Sequence, residues 1–209
     1  MPDVSPCQLY LISPLDVGGD FPVRLQEALG AGPVAAFQFR VKDIALDEAA
    51  ALAEPIKAIC DAHDVAFIVN DDVALAKRLS ADGVHLGQAD DRLDDARAEL
   101  GDQVQIGITC HDSRHLAMEA GEGGANYVAF GAFFPTQTKE THYRPEVDIL
   151  QWWSTIMEIP CVAIGGITPD NCQPLIDAGA DFLAVSGSIW NDPEGPAHAV
   201  KRFTEILEN

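Results

Sequence analysis

In five places along this chain, charged, amide or hydroxyl side chains follow directly on a short apolar run. The segments are Gln38-Phe-Arg-Val-Lys42, Val69-Asn-Asp-Asp-Val73, His85-Leu-Gly-Gln-Ala-Asp90, Thr109-Cys-His111 and Pro135-Thr-Gln-Thr-Lys139. Arg40, Lys42 and Lys139 supply positive charge of the kind that holds an oligophosphate. Asp71 and Asp90 supply carboxylates for a hard cation, since Mg²⁺ typically takes one or two carboxylates and completes its shell with water and phosphate oxygens. Two further stretches, Gly165-Gly166 and Ser186-Gly187-Ser188, are small enough for backbone N–H groups to approach a phosphate closely. Together these residues describe two anion sites, one built from cations and metal and the other largely from backbone.

Composition sharpens the first of these sites. Lys and Arg number 13 against 33 Asp and Glu, a formal net charge of −20. Such a chain repels nucleic acid and anionic membrane surfaces at long range, so neither is expected as a partner. It also has few cations to place, and three of them fall in the segments above. A single aspartate in so acidic a protein is ordinarily a solvated surface group, and it is the pairing of Asp71 with Asp90 that suggests a metal. Asp72, Asp91, Asp94 and Asp95 read as helix N-terminal or surface acids. His85 lies within an apolar run and reads as a satisfied core histidine, whereas His111, at the end of a run, is the better functional candidate. Cys110 and the tryptophans Trp152, Trp153 and Trp190 read as packing.

The elements that must position these groups alternate along the whole chain. Strands are predicted at Gln8 to Ser13, Ala35 to Arg40, Ala66 to Asn70, Gly83 to Leu86, Gln105 to Thr109, Tyr127 to Phe130, Cys161 to Ile164 and Phe182 to Ser186. Runs such as Phe67-Ile68-Val69 are continuously apolar, as parallel strands buried on both faces require. Between them, Leu46 to His63 spaces Leu46, Ala49, Ala50, Ala53, Ile56 and Ile59 as one helical stripe, with Pro55 a candidate kink.

An internal echo runs through Ser80-Ala-Asp-Gly-Val-His-Leu, Gly124-Ala-Asn-Tyr-Val-Ala-Phe and Gly179-Ala-Asp-Phe-Leu-Ala-Val, ahead of the fourth, sixth and eighth strands. A small residue can end a helix, and Asp or Asn can bond the turning backbone. Repetition on alternate strands points to a single-domain α/β fold, the (β/α)8 TIM barrel, over residues 1–209. An open doubly wound sheet uses the same local units and is the alternative. In the barrel, polar residues at the C-terminal ends of the strands converge on one mouth, whereas distance along the chain would scatter them.

The five cysteines are odd in number and show no Cys-x-x-Cys spacing. Neither a disulfide framework nor a zinc site is indicated. Met1 to Pro14 has no basic region followed by an apolar stretch, and no run approaches the ~20 residues of a membrane span. A soluble, cytoplasmic protein is expected. Nothing in the sequence fixes or excludes a homo-oligomer.

In order and spacing, the segments beginning at Gln38, Val69, His85 and Pro135, with Ile164-Gly-Gly-Ile167, resemble the motifs of the thiamine phosphate synthase family. The likeness runs from about Leu9 to the helix near Phe203. It implies a Mg²⁺-dependent transferase that joins a pyrimidine diphosphate to a thiazole phosphate. By the same resemblance Gln38, Arg40, Lys42, Asn70, Thr109 and Lys139 hold the pyrimidine diphosphate, with Arg40, Lys42 and Lys139 acting in catalysis. Asp71 and Asp90 hold the metal, and Thr136, Gln137, Thr138, Gly166, Ser186 and Gly187 hold the thiazole phosphate. Three positions depart from the family pattern. Thr109 stands where serine is common, Val41 where glutamate is common, and Ser186-Gly187 where an apolar residue and serine are common. A thiazole tautomerase-like barrel and a catalytically silent phosphate-binding regulator are the rival readings. Retention of Asn70-Asp71 and of Gln88-Ala-Asp90 speaks against the first, and intact Arg40, Lys42 and Lys139 speak against the second.

Overall fold

Strands lying between a lumen and a ring of helices must be apolar on both faces, and all eight runs expected on that ground are strands. The computed structural model describes residues 7–136 and 142–208. Its strands are β1 (Gln8–Ile12), β2 (Ala36–Phe39), β3 (Ala66–Asn70), β4 (Gly83–Leu86), β5 (Gln105–His111), β6 (Tyr127–Gly131), β7 (Cys161–Ile164) and β8 (Phe182–Val185). Each pairs in parallel with the next, and β8 pairs with β1, so the sheet is a closed barrel. The open doubly wound alternative is thereby excluded. Among the described residues the helices are α1 (Phe21–Leu29), α2 (Leu46–Ala62), α3 (Val73–Leu79), α4 (Leu93–Leu100), α5 (Arg114–Glu122), α6 (Asp148–Ile156), α7 (Gln173–Asp177), α8 (Gly187–Trp190) and α9 (Pro196–Leu207). None of them is long and apolar enough to cross a membrane.

Alternation along each strand sorts the core into two layers. Leu9, Leu11, Phe37, Phe39, Phe67 and Val69 face outward and pack under the helices in one large cluster. Tyr10, Ile12, Ala36, Ile68, Tyr127, Ala129, Val162 and Ala184 form a second, separate cluster that fills the lumen. Gln38 and His85 are buried polar residues, so the lumen is apolar only in part.

Helix α2 follows the predicted stripe at Ala49, Ala50, Ala53 and Ile56, all buried, but its ends depart from it. Leu46 is 39% exposed and Ile59 only half-buried, while Cys60 carries the stripe onward. Pro55 sits inside the helix on the exposed side. There the carbonyl deprived of its partner one turn earlier can turn to water, so the helix continues.

The three echoed segments do more than end helices. Ser80, Gly124 and Gly179 adopt positive φ (48°, 88° and 91°) and turn the chain toward the next strand. The acid or amide that follows then clamps the preceding strand at two points. Asp82 N–H donates to the Phe67 carbonyl at 3.0 Å while its Oδ2 accepts from Phe67 N–H at 2.7 Å. Asn126 does the same with Ile106 (2.8 and 2.8 Å), and Asp181 with Cys161 (3.0 and 2.7 Å). The expectation that these residues bond the turning backbone is thus corrected. They reach across to the strand before, at the N-terminal end of the barrel, and fix the register of the β3/β4, β5/β6 and β7/β8 pairs.

Removing such an acceptor leaves a buried N–H unpaired, a loss of about 1–3 kcal/mol. Asp181→Ala should therefore lower the urea-unfolding free energy by about that much, and Asp181→Asn, which keeps the acceptor, should recover most of it. Equal stability of the alanine variant and the parent would show that the clamp contributes nothing.

Candidate active site

The C-terminal ends of the strands surround a cavity of about 370 Å³. Its wall includes Gln38 and Arg40 from the end of β2, Asn70 from β3, His85 from β4, and Thr109 and His111 from β5. Thr136, Gly166, Ser186, Gly187 and Ser188 complete it from the loops after β6, β7 and β8. The structure thus brings together Gln38, Arg40, Asn70, Thr109, Thr136, Gly166, Ser186 and Gly187 from among the expected site residues. Lys42, Asp71 and Asp90 do not line this wall and form a cluster at its rim. Gln137, Thr138 and Lys139 lie outside the described residues.

The rim cluster is held by charge. Lys42 Nζ donates to Asp71 Oδ2, in a partly exposed ion pair. Asp71 adopts a positive φ of 65° directly after β3, and its backbone N–H donates to the His85 carbonyl at 2.8 Å. Asp90 Oδ2 accepts from Gly87 N–H at 2.7 Å. The Asp71 and Asp90 carboxyl groups lie close enough to affect each other's protonation. Burial pushes the Asp71 carboxyl up, but the Lys42 ammonium and the hydrogen bonds around it more than offset this and hold it below the usual range. Asp90 is held above that range, by burial and by the negative charge of Asp71. Two hard oxygen donors that repel each other fit a Mg²⁺ ion, which needs no more than two protein carboxylates. Among the described residues there is no cluster of three or more ligating side chains, as a closed zinc centre would have.

Two buried polar atoms in the cavity wall have no partner, Nη1 of Arg40 and Oγ of Ser188. Buried donors are rarely left so, and they mark where a ligand's oxygens would accept. Arg40 is anchored from behind, because Ser13 Oγ accepts from Arg40 N–H at 2.8 Å and donates to the Arg40 carbonyl at 3.2 Å. Ser13 is fully buried. Across the cavity, Gly166 has φ +64°, and a Cβ there would lie 2.4 Å from the Pro135 carbonyl oxygen. The loop after β7 and the loop after β6 can touch only because that side chain is missing. Trp190 Nε1 donates to the Ile12 carbonyl at 2.6 Å and ties the short α8 segment, which carries Ser188, to the end of β1.

Sequence reasoning gave less weight to several of these residues. Ser13 carries no charge and no motif, and Ser188 was expected only as part of the small Ser186-Gly187-Ser188 stretch, whose backbone and not its hydroxyl was to meet the phosphate. His85 is a satisfied core histidine as expected, with Nδ1 3.0 Å from Tyr127 Oη and Nε2 2.8 Å from Thr109 Oγ1, yet it also lines the cavity. His111 has φ +55° beside a register shift between β5 and β6, and its ring stacks on Tyr143 at 4.1 Å. Cys110, next to it, is buried outside the lumen, and burial pushes its thiol up to about 12. It is packing, as expected, as are Trp153 and Trp190, both buried.

Fold and cavity define the class of this molecule as a (β/α)8 barrel whose site opens at the C-terminal mouth of the strands. A family model described as thiamine monophosphate synthase matches residues 9–189. The chain is 66% identical over 206 residues to a thiamine-phosphate synthase of Erythrobacter litoralis, covering 97% of this chain and 96% of that protein. With a thiamine-phosphate synthase of Rhodospirillum centenum the identity is 52%, covering 98% and 99%. Among solved structures, thiamine phosphate pyrophosphorylase from Pyrococcus furiosus superposes with a TM-score of 0.86 at 29% identity, covering 98% of this chain and 96% of that one. Orotidine 5′-phosphate decarboxylase from Pyrococcus horikoshii (TM-score 0.68, 15% identity, 95% and 99% covered) shares the fold alone. The chain belongs to the thiamine monophosphate synthase family. It is accordingly an enzyme, a transferase of thiamine biosynthesis.

The raised Asp90 carboxyl has a signed consequence for the metal-free protein. A carboxyl whose folded pKa is raised favours the folded state when protonated, and that contribution is lost as pH rises through the raised value. Asp90→Asn keeps the acceptor for Gly87 N–H and removes the repulsion. It should raise the thermal midpoint at pH 7 without metal, and the gain should fade as pH falls and Asp90 itself becomes neutral. A variant less stable than the parent at pH 7 would contradict the assignment.

Proposed function

We propose that the chain condenses 4-amino-2-methyl-5-(diphosphooxymethyl)pyrimidine with a thiazole phosphate to give thiamine phosphate and diphosphate. The observation that carries this reading is the pair of unpartnered buried donors, Arg40 Nη1 and Ser188 Oγ, in the wall of one cavity. Arg40 belongs to the cationic end with Lys42, and Ser188 to the small-residue end with Gly166, Ser186 and Gly187. Two phosphorylated substrates held at two ends of one site would meet between them.

The bond between the pyrimidine methylene carbon and the diphosphate oxygen breaks, and its electron pair leaves with the diphosphate. The lone pair of the thiazole nitrogen then forms the new C–N bond to that carbon. This nitrogen carries no proton, so no general base is needed, and the protein's task is to stabilise the departing charge and align the rings. Arg40 and Lys42 neutralise the leaving diphosphate, with Gln38, Asn70 and Thr109 holding the pyrimidine portion. Lys139, Gln137 and Thr138 enter on the family resemblance alone. Asp71 and Asp90 would hold Mg²⁺, which when bound supplies further neutralisation of the diphosphate. Thr136, Gly166, Ser186 and Gly187 hold the thiazole phosphate. The free cysteines Cys7, Cys60, Cys110, Cys161 and Cys172 suit the reducing cytoplasm as the place of this reaction.

Purified protein incubated with both substrates should form thiamine phosphate, detected by oxidation to fluorescent thiochrome, and chelation of Mg²⁺ should abolish it. Arg40→Ala, Asp71→Ala and Lys139→Ala should each lower turnover about 10²–10³-fold while the fold persists. Full turnover in any of them at saturating Mg²⁺ and substrates would remove that residue from the mechanism, and no product from the parent would refute the proposed reaction.

A further inference from the structure

Gln88 lies within His85-Leu-Gly-Gln-Ala-Asp90, two residues before Asp90, and the proposed reaction gives it no part. The ladder between β4 and β5 ends where Leu86 pairs with Ile108. Two residues further on, the Gln88 side chain carries the contact past that point, with Nε2 donating to the Thr109 carbonyl at 2.6 Å. A carbonyl has no proton to give, so the donor in this bond is the amide nitrogen of Gln88. The acceptor lies where the β5/β6 register shifts, between Thr109 and His111. Gln88 is exposed, yet its tip is fastened to the sheet.

The turn around it is closed by its own last residue. Asp90 N–H donates to the Gly87 carbonyl at 3.3 Å, and Gly87 N–H donates back to Asp90 Oδ2 at 2.7 Å. A Cβ at Gly87 would lie 2.9 Å from that same oxygen, so the carboxylate folds back onto the turn because residue 87 has no side chain. Asp71 is tied to the same strand end, through its N–H on the His85 carbonyl at 2.8 Å. Both carboxylates are thus placed relative to the end of β4. Two carboxylates brought together repel, and without a cation a loop free to move would let them part. Bringing them back would then weaken metal binding, whereas a loop already held in place binds without that cost.

We propose that Gln88 is a positioning residue for the metal, whose bond to the Thr109 carbonyl holds the turn from Gly87 to Asp90 so that the Asp90 carboxylate stays beside that of Asp71 before the cation arrives. The inference rests on the reading that Asp71 and Asp90 hold Mg²⁺, and deepens it. Gln88 acts through the turn and not by touching the ion, as groups that orient metal ligands do.

The test titrates Mn²⁺, which takes the same oxygen-rich octahedral sites as Mg²⁺, into the metal-free full chain and reads free Mn²⁺ by electron paramagnetic resonance. Ions gathered loosely by the acidic surface are removed by difference against Asp90→Ala, which should lose the site. Gln88→Met keeps the length and bulk of the side chain and removes the donor. Its dissociation constant for Mn²⁺ should rise about two- to tenfold, and the gain in thermal midpoint at a fixed Mn²⁺ concentration should shrink with it. Gly87→Ala, which displaces the Asp90 oxygen and leaves Gln88 in place, should weaken binding in the same assay. A merely structural role would lower the metal-free midpoint without moving the dissociation constant, so parental Mn²⁺ affinity in either variant overturns the inference while the metal site stands. Equal affinity in the parent and Asp90→Ala would instead overturn the metal reading, and this inference with it.

Discussion

Closure of the eight strands is the constraint from which the rest follows. Once β8 pairs with β1, every second residue of every strand must enter a lumen with no other exit than its two ends. At the N-terminal end, Asp82, Asn126 and Asp181 each pin the strand before them through two hydrogen bonds, so the register cannot slip without leaving buried N–H groups unpaired. At the C-terminal end the same register brings residues from distant parts of the sequence to one cavity. Stability and chemistry are thus divided between opposite ends of one barrel, and a change at the clamps reaches the site only through strand position.

Charge is distributed to match. A chain with a net charge of −20 could hold phosphorylated substrates only by concentrating its cations and by keeping donors dry. Arg40 does both, since its guanidinium has one nitrogen buried without a partner and its backbone is clasped by the buried Ser13. Lys42 is held against Asp71, and Asp71 in turn sits near Asp90, so one ammonium and two carboxylates share the rim. In the proposed reaction such an arrangement would let a metal cation and a diphosphate enter together, each neutralising what would otherwise repel the other.

Much of the fold was legible because the physics that makes it is local. Continuous apolar runs gave all eight strands, the echoed small-Ala-Asp segments gave the two-strand repeat, and polar residues after each run gave Gln38, Arg40, Asn70 and Thr109 as neighbours in one cavity. What escaped is non-local. The clamp partners of Asp82, Asn126 and Asp181 lie on another strand, and no pattern within a segment reveals them. Tyr10 and Tyr127 read as ordinary strand residues until the barrel closes and puts their hydroxyls 3.0 Å apart, 117 positions distant in sequence. Ser13 was hidden for a different reason, being small, uncharged and outside any motif, whereas Ser188 was legible only as part of a small-residue stretch and not as a buried donor. Leu46 shows the limit of periodicity, because a stripe continues in sequence past the point where the helix still touches the barrel.

The central claim is that the cationic end and the small-residue end belong to one site and take two phosphorylated ligands side by side. A crystal structure of the protein with Mg²⁺, inorganic diphosphate and the thiazole phosphate tests it directly. Diphosphate is expected against Arg40 and Lys42 with the metal on Asp71 and Asp90, and the thiazole phosphate against Gly166, Gly187 and Ser188 in the same cavity. Either ligand bound outside that cavity, or the metal on other residues, would contradict the account.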